Sequence, residues 1–228
     1  MKKETMEKLM ELRMYVDALE FAQKNEVYKL IDQIFVCEMN DQKVGKFDLY
    51  SLCASGKEPR TCLKGIYHKD GYKYATNALA LCKTKADYPK ELEGRVVLPD
   101  GSLLSEDARV YNYDAVVNID TTNYVSVEVD FAKVREFSKD AKQHKKTFKK
   151  HSHCFINVYG DISVNFNTFE KVVNAMQAFG ITNILVNPKD RNKMIVAKND
   201  TTSIVFLPYA ASIDESEQDC IKCFKLND

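Results

Sequence analysis

Between Val44 and Leu207 the chain is cut by turn signals into short extended runs, and this punctuation limits the fold more than any other feature. The runs Leu63–His68, Tyr72–Thr76, Leu79–Lys83, Arg95–Leu98, Ala115–Ile119 and Tyr124–Val129 are rich in strand-forming residues. Lys69-Asp70-Gly71, Pro99-Asp100-Gly101 and Thr121-Thr122-Asn123 separate them as turns. Asp70-Gly71 between two such runs is a hairpin signal, because both turn positions need left-handed backbone. Strands joined this closely are antiparallel, since a parallel pair needs a long crossover.

The later part of the chain inserts helices into this pattern. Phe131–Lys142 is expected to be helical, with Phe131, Val134, Phe137 and Ala141 inward. Phe155–Tyr159 and Ile162–Phe166 read as a hairpin around Gly160-Asp161. A punctuated helix follows. Asn167 is its expected cap, Glu170 completes a capping box, and Phe169, Val172, Val173, Met176 and Phe179 form the buried stripe up to Gly180. Ile184–Asn187, Met194–Lys198 and Ser203–Leu207 read as strands.

At the N-terminus, Met6, Leu9, Leu12, Val16 and Leu19 recur at helical spacing, and Val27, Leu30, Ile31, Ile34 and Phe35 mark a second helix. Residues 5–36 are therefore expected to be a helical hairpin. Residues 210–228 read as a loose polar tail. The division expected is a helical extension over 1–41, one mixed repeat over 42–121, another over 122–211, and the tail over 212–228.

Lys+Arg and Asp+Glu balance at 33 each, so a nucleic-acid surface must be local rather than global. Residues 133–151 supply one. At ~100° per residue, Arg135, Lys139, Lys142, Lys146 and Lys149 fall in a single stripe, while Glu136 and Asp140 fall elsewhere. A solvated helix face without a partner is the plain alternative. The 7 cysteines are odd in number, and no apolar core follows the first charges, so reduced thiols and a cytoplasmic setting are expected. No run approaches the ~18 apolar residues of a membrane span. The P-loop, dinucleotide-binding, zincin and nucleophile-elbow signatures are missing, which weighs against an enzyme; Asp114, Asp120 and His68 are its only loose candidates. His151-x-His153-Cys154 fits no standard zinc spacing, and the single Cys220-x-x-Cys223 pair cannot fill a tetrahedral site. No metal and no cofactor are expected.

Cys62–Leu81 resembles a segment of the middle domain of the bacterial DNA sliding clamp, the DNA polymerase III beta subunit, which carries an A-T-D-G-H-R-L signature. Ala75, Thr76 and Leu81 match it. Asn77 replaces the Asp, and Ala78-Leu79-Ala80 replaces the Gly-His-Arg. Arg109–Val117 resembles the family's R-F-P-D-Y-R-R-V segment, and Phe131–Lys142 stands where its last domain's first helix begins. Ile162–Asn167 with the helix to Phe179 resembles I-G-F-N and a pore-lining helix; Asn183–Val186 and Ser203–Tyr209 resemble the closing strands with their M-P-M-like end. Three departures stand out. The interval from Asn77 to Arg109 is too short for the first repeat's second helix, that from Lys150 to Ile162 is too short for a hairpin, and residues 1–40 have no counterpart.

The resemblance implies a short, divergent clamp-like α+β fold, with two mainly antiparallel β repeats, helices on one face, and an N-terminal helical extension. It implies a non-enzymatic processivity factor that binds duplex DNA non-specifically through the basic stripe, joined by Lys171 on the later helix, and that forms a homo-oligomer. Carried over, the family's peptide pocket would be walled by Thr76, Leu81, Val205, Leu207, Pro208 and Tyr209, and would take an apolar peptide from a polymerase or another replication protein. The alternative is a clamp-fold interaction scaffold that has lost ring formation and DNA binding.

Overall fold

The computed structural model describes residues 3–16, 27–28, 31, 44, 47–88, 90–104, 110–148, 153–209 and 221–226. The chain divides into two compact units, Met1–Ala78 with Cys82–Tyr113, and Leu79–Leu81 with Asp114–Asp228. The divide falls at Tyr113, ahead of the expected 121.

In unit 1, helix α1 (Lys3–Val16) buries Leu9, Met10 and Val16 against Ile31, Leu92 and Val97. Leu12, expected inward, is 46% exposed. The reason is angular: the buried arc runs from Val16 through Leu9 to Met10, and Leu12 lies about 40° beyond its Val16 edge, roughly 160° from Met10. Of the second expected helix, Val27 and Ile31 pack on this cluster. Met6, Leu19, Leu30, Ile34 and Phe35 lie outside the described side chains.

The strands β1 (Ile66–Lys69), β2 (Tyr72–Thr76), β3 (Ala80–Lys85) and β4 (Val96–Val97) lie in the order β4-β1-β2-β3. Lys69 pairs with Tyr72 across the two-residue turn, and Asp70 (φ 51°) and Gly71 (φ 78°) both take the left-handed backbone that this hairpin demands. Ile66, Tyr74, Leu52, Leu63 and Cys82 are buried here, and the rings of Tyr74 and Tyr113 stack at 5.7 Å. Between β3 and β4 the described residues hold only a tight turn at Lys90–Leu92, as the short interval implied.

Ala115–Ile119 is not a strand. The chain there forms a short helix, α2 (Tyr113–Val117), closed by the Asn118 amide donating to the Asp114 carbonyl at 3.0 Å.

Unit 2 continues with β5 (Val125–Glu128), α3 (Phe131–Phe148), β6 (His153–Tyr159), β7 (Ile162–Asn165), α4 (Phe166–Ala178), β8 (Asn183–Val186), β9 (Ile195–Lys198), β10 (Thr202–Phe206) and β11 (Ile221–Lys225). β10, β9, β8 and β5 lie side by side in that order, with antiparallel pairs, and β11, β6 and β7 form a separate three-stranded sheet. Gly160 (φ 53°) turns the β6–β7 hairpin. Helix α4 buries Phe169, Val172, Val173 and Met176, and Phe169 meets Phe206 of β10 edge-on at 6.2 Å. Gly180 (φ 67°) ends it, with the Ile181 amide returning to the Met176 carbonyl at 2.8 Å.

Two expectations are corrected. The cap of α4 is Asn165, whose side chain accepts from the Asn167 amide at 3.0 Å. Phe166, 1% exposed, has to enter the core with the helix's first turn, so the helix starts before Asn167. The tail is not loose throughout. Residues 210–220 lie outside the described set, but Ile221–Lys225 forms β11, parallel to β6, with Phe224 and Leu226 buried. The class remains α+β and mainly antiparallel.

Candidate DNA and peptide interfaces

Helix α3 is divided lengthwise among different neighbours. Val134, Ser138 and Ala141 are buried. Lys133, Phe137 and Asp140 meet β11: Lys133 Nζ donates to the Leu226 carbonyl at 3.2 Å, Phe137 stacks on Phe224 at 4.7 Å, and Asp140 accepts from Lys222 at 3.4 Å. Arg135, Lys139, Lys142 and Lys146 are all exposed. The expected stripe is thus a free cationic row, and Lys149 lies outside the described residues. Glu136 is exposed off the row, and Asp140 is matched by Lys222.

The Ser138 hydroxyl donates to Glu170 of α4 and ties the two helices together. Glu170 is therefore not the capping-box partner expected of it. Lys171 beside it is exposed. A cleft of about 340 Å³ opens between α3, the start of β6 and the N-terminus of α4, lined by Lys142, Lys145, His153, Asn167 and Glu170 among others. Lys145 and His153 were outside the expected DNA set. Their signal in the sequence was the basic run itself, but the fold alone brings the β6 end to the helix.

The residues expected to wall the peptide pocket are distributed unevenly. Thr76 is buried in unit 1. Leu81, Val205, Leu207, Pro208 and Tyr209 belong to unit 2. Leu81 (4% exposed) and Val205 (1%) are core residues on neighbouring strands. Leu207 is 38% exposed, and its amide donates to the Leu79 carbonyl at 2.9 Å. The expected walls omit Leu79, which is 50% exposed and adds to the apolar surface at that point. Tyr209 is half-buried: its ring meets Phe155 at 4.3 Å, and its amide donates to the Ser163 carbonyl at 2.7 Å. It braces β7, so it is less a free rim residue than the sequence suggests.

The loose catalytic candidates do not form a constellation within either unit. His68 is 1% exposed in unit 1; burial, then the cation of Lys73, lowers its pKa to about 3. Asp114 and Asp120 lie in unit 2, and Asp120 is held by the hydroxyl and amide of Thr122, which lower its pKa. His153 and Cys154 are half-buried at the start of β6, while His151 and Cys220 lie outside the described residues. Among the described residues no group of His, Cys, Asp or Glu is placed to hold a metal, and Cys62, Cys82 and Cys223 are free thiols. No described helix is long and apolar enough to cross a membrane.

No family model matches the chain, and no curated protein does. Among solved structures it is similar to bacterial sliding clamps. The DNA polymerase sliding clamp of Pseudomonas aeruginosa is 13% identical, with 72% of this chain and 64% of that one covered, at a TM-score of 0.47. The Caulobacter crescentus polymerase III beta subunit gives 12%, 76%, 65% and 0.49. The Helicobacter pylori beta clamp bound to a DNA ligase peptide gives 11%, 78%, 63% and 0.46. The chain spans less than two thirds of the length of each of these clamps.

Proposed function

We propose that the chain is a non-enzymatic, clamp-like protein that holds duplex DNA through α3 and α4 without reading its sequence, and that recruits replication proteins by a short apolar peptide. The observation that carries this reading is the row Arg135, Lys139, Lys142 and Lys146, exposed together on a helix that buries Val134, Ser138 and Ala141 on another side. At 1.5 Å per residue the row is about 16 Å long. One strand of a duplex presents roughly five phosphates over that length, at about 3.4 Å each. Lys171 of α4 would join the same surface. Contacts of this kind position a protein on DNA and carry no base information. The partner peptide would lie on the apolar surface of Leu79, Leu207 and Pro208, with Leu81, Val205 and Tyr209 of the same unit behind it. Lasting retention would come from a closed homo-oligomer around the duplex, since a single copy held by non-specific contacts has a dissociation constant of about 10⁻⁴ to 10⁻⁶ M.

The test is anisotropy of a labelled duplex titrated with the parent chain and with a K139E/K142E/K146E variant. For about four phosphates neutralised, the parent's affinity falls roughly 100-fold between 50 and 200 mM salt and is the same for unrelated sequences. The variant does not bind, and it stays folded because exposed charge changes shift stability by under ~0.5 kcal/mol each. Equal binding by the variant at low salt reduces the row to a solvated face and makes the interaction scaffold the better reading. Light scattering with and without the duplex decides the ring.

A further inference from the structure

The strand β11 occupies an edge that the rest of unit 2 leaves open. It runs parallel to β6, from Ile221 opposite His153 to Lys225 opposite Asn157, and the Leu226 amide extends the ladder to the Asn157 carbonyl at 2.9 Å. The pairs β6–β7, β5–β8, β8–β9 and β9–β10 of unit 2 are antiparallel, so β11 is not the next turn of a meander. Its side chains alternate. Cys223 and Lys225 are exposed, while Phe224 and Leu226 are buried at 5% and 2% exposure. Phe224 sits between Phe137 at 4.7 Å and Phe166 at 5.1 Å. On the same side, Lys222 reaches Asp140 at 3.4 Å. Lys133 holds the Leu226 carbonyl at 3.2 Å.

These are the parts of a strand-addition site: an open ladder supplies affinity, and pockets for alternate side chains supply selection. We propose that the β6 edge, backed by Phe137, Asp140 and Phe166, is a docking site for an extended peptide of the pattern basic–x–aromatic–x–aliphatic, and that Lys222–Leu226 is its built-in occupant. Asp140 selects the cation, the Phe137–Phe166 cup selects a flat ring, and Lys133 fixes the end of the peptide. The built-in strand keeps the β6 edge from pairing with other chains and competes with any partner of the same pattern. This inference does not depend on DNA binding.

The experiment places a protease cleavage sequence within residues 212–218 of the full chain, cuts it after folding, and adds a fluorescent peptide of residues 219–228. The cut chain keeps its circular dichroism. It either retains the severed segment through gel filtration or, having released it, binds the labelled peptide; the uncut chain binds the label at least about 100-fold more weakly. A peptide carrying Phe224→Ala binds the cut chain roughly 100-fold more weakly than the parent peptide, because a buried phenylalanine is lost. Lys222→Glu weakens it a few-fold, as fits an exposed ion pair. Release of the segment without rebinding, unfolding on cleavage, or equal binding of the Phe224→Ala peptide would each overturn the proposal.

Discussion

His68 and Lys73 are directly opposite each other on β1 and β2, and both are buried, at 1% and 8% exposure. Two cation-forming groups in one cross-strand pair make unit 1 sensitive to acid. His68 has its pKa lowered to about 3 and Lys73 to about 8, in each case chiefly by burial. Among the described residues, His68 Nδ1 has no hydrogen-bond partner, and the ring lies edge-on to Tyr88 at 4.9 Å. Neutral His68 is therefore what the fold accepts. Because its folded pKa lies below the unfolded value near 6.5, the unfolded chain binds the proton first, so stability is intact above pH 6.5 and is lost as pH falls toward 3. Lys73 shifts in the same sense, but its window runs from about 8 to 10.5, so it adds no slope below pH 7. Between pH 7 and pH 5 the His68 contribution works out at about 2 kcal/mol. The assay is urea unfolding followed by circular dichroism at both pH values, for the parent and for His68→Leu. Carboxylates titrate in both proteins, so the difference between the two losses isolates His68. The parent should lose about 2 kcal/mol more than the variant. Equal losses would refute the claim that this histidine is buried neutral beside Lys73.

Two further substitutions probe the backbone of unit 1. A Cβ on Gly65 would stand 2.5 Å from the Val97 carbonyl oxygen and 2.6 Å from Val96 Cγ1. The β1–β4 pairing of Ile66 with Val97 fixes that distance, so Gly65→Ala costs about 2–3 kcal/mol in thermal unfolding, while Gly56→Ala, with nothing within 4 Å, stays within about 0.5 kcal/mol. Ala78 sits at φ 71°, where the clamp signature has glycine. Relief of the left-handed strain, about 1–2 kcal/mol, outweighs the entropy glycine adds to the unfolded chain, so Ala78→Gly should stabilise by roughly 0.5–1 kcal/mol; a lower melting temperature would contradict the backbone geometry.

Periodic, well-punctuated segments were legible in the sequence. The α4 stripe from Phe169 to Met176 and the Asp70-Gly71 hairpin needed no tertiary information, because their signals are local. What stayed hidden was decided by packing. Ala115–Ile119 has strand-forming side chains, yet the anchoring of Tyr113 among the rings of Tyr67 and Tyr74 favours a helical turn there. His68 looked available for chemistry, but on a strand it shares a face with Ile66, and that face is buried. β11 was masked by the acidic run before it, and nothing local shows that Phe224 has a cup waiting between two helices. The cationic row was legible as a stripe; the accounting of Lys133 and Asp140 to β11 was not.

That accounting gives substitutions on α3 different meanings by position. Lys133 and Lys139 are both basic and only a turn and a half apart, yet Lys133 holds the end of β11 while Lys139 is exposed on the row. Neutralising Lys133 or Asp140 therefore disturbs the β11 contact before it touches any ligand, and a loss of DNA binding there would be ambiguous. Ser138 and Glu170 set how α4 lies along α3, so their removal would move Lys171 as well as weaken the fold. Arg135, Lys139, Lys142 and Lys146 have no part in these ties. A chain with no net charge can still meet a polyanion there, because the duplex senses the local row within a Debye length of about 8–10 Å and not the whole-chain balance. Of the acids on α3 itself, Asp140 is already matched by Lys222 and Glu136 is exposed off the row. Charge neutrality is thus no argument against a DNA interface in this chain, and the row on α3 is where the question is decided.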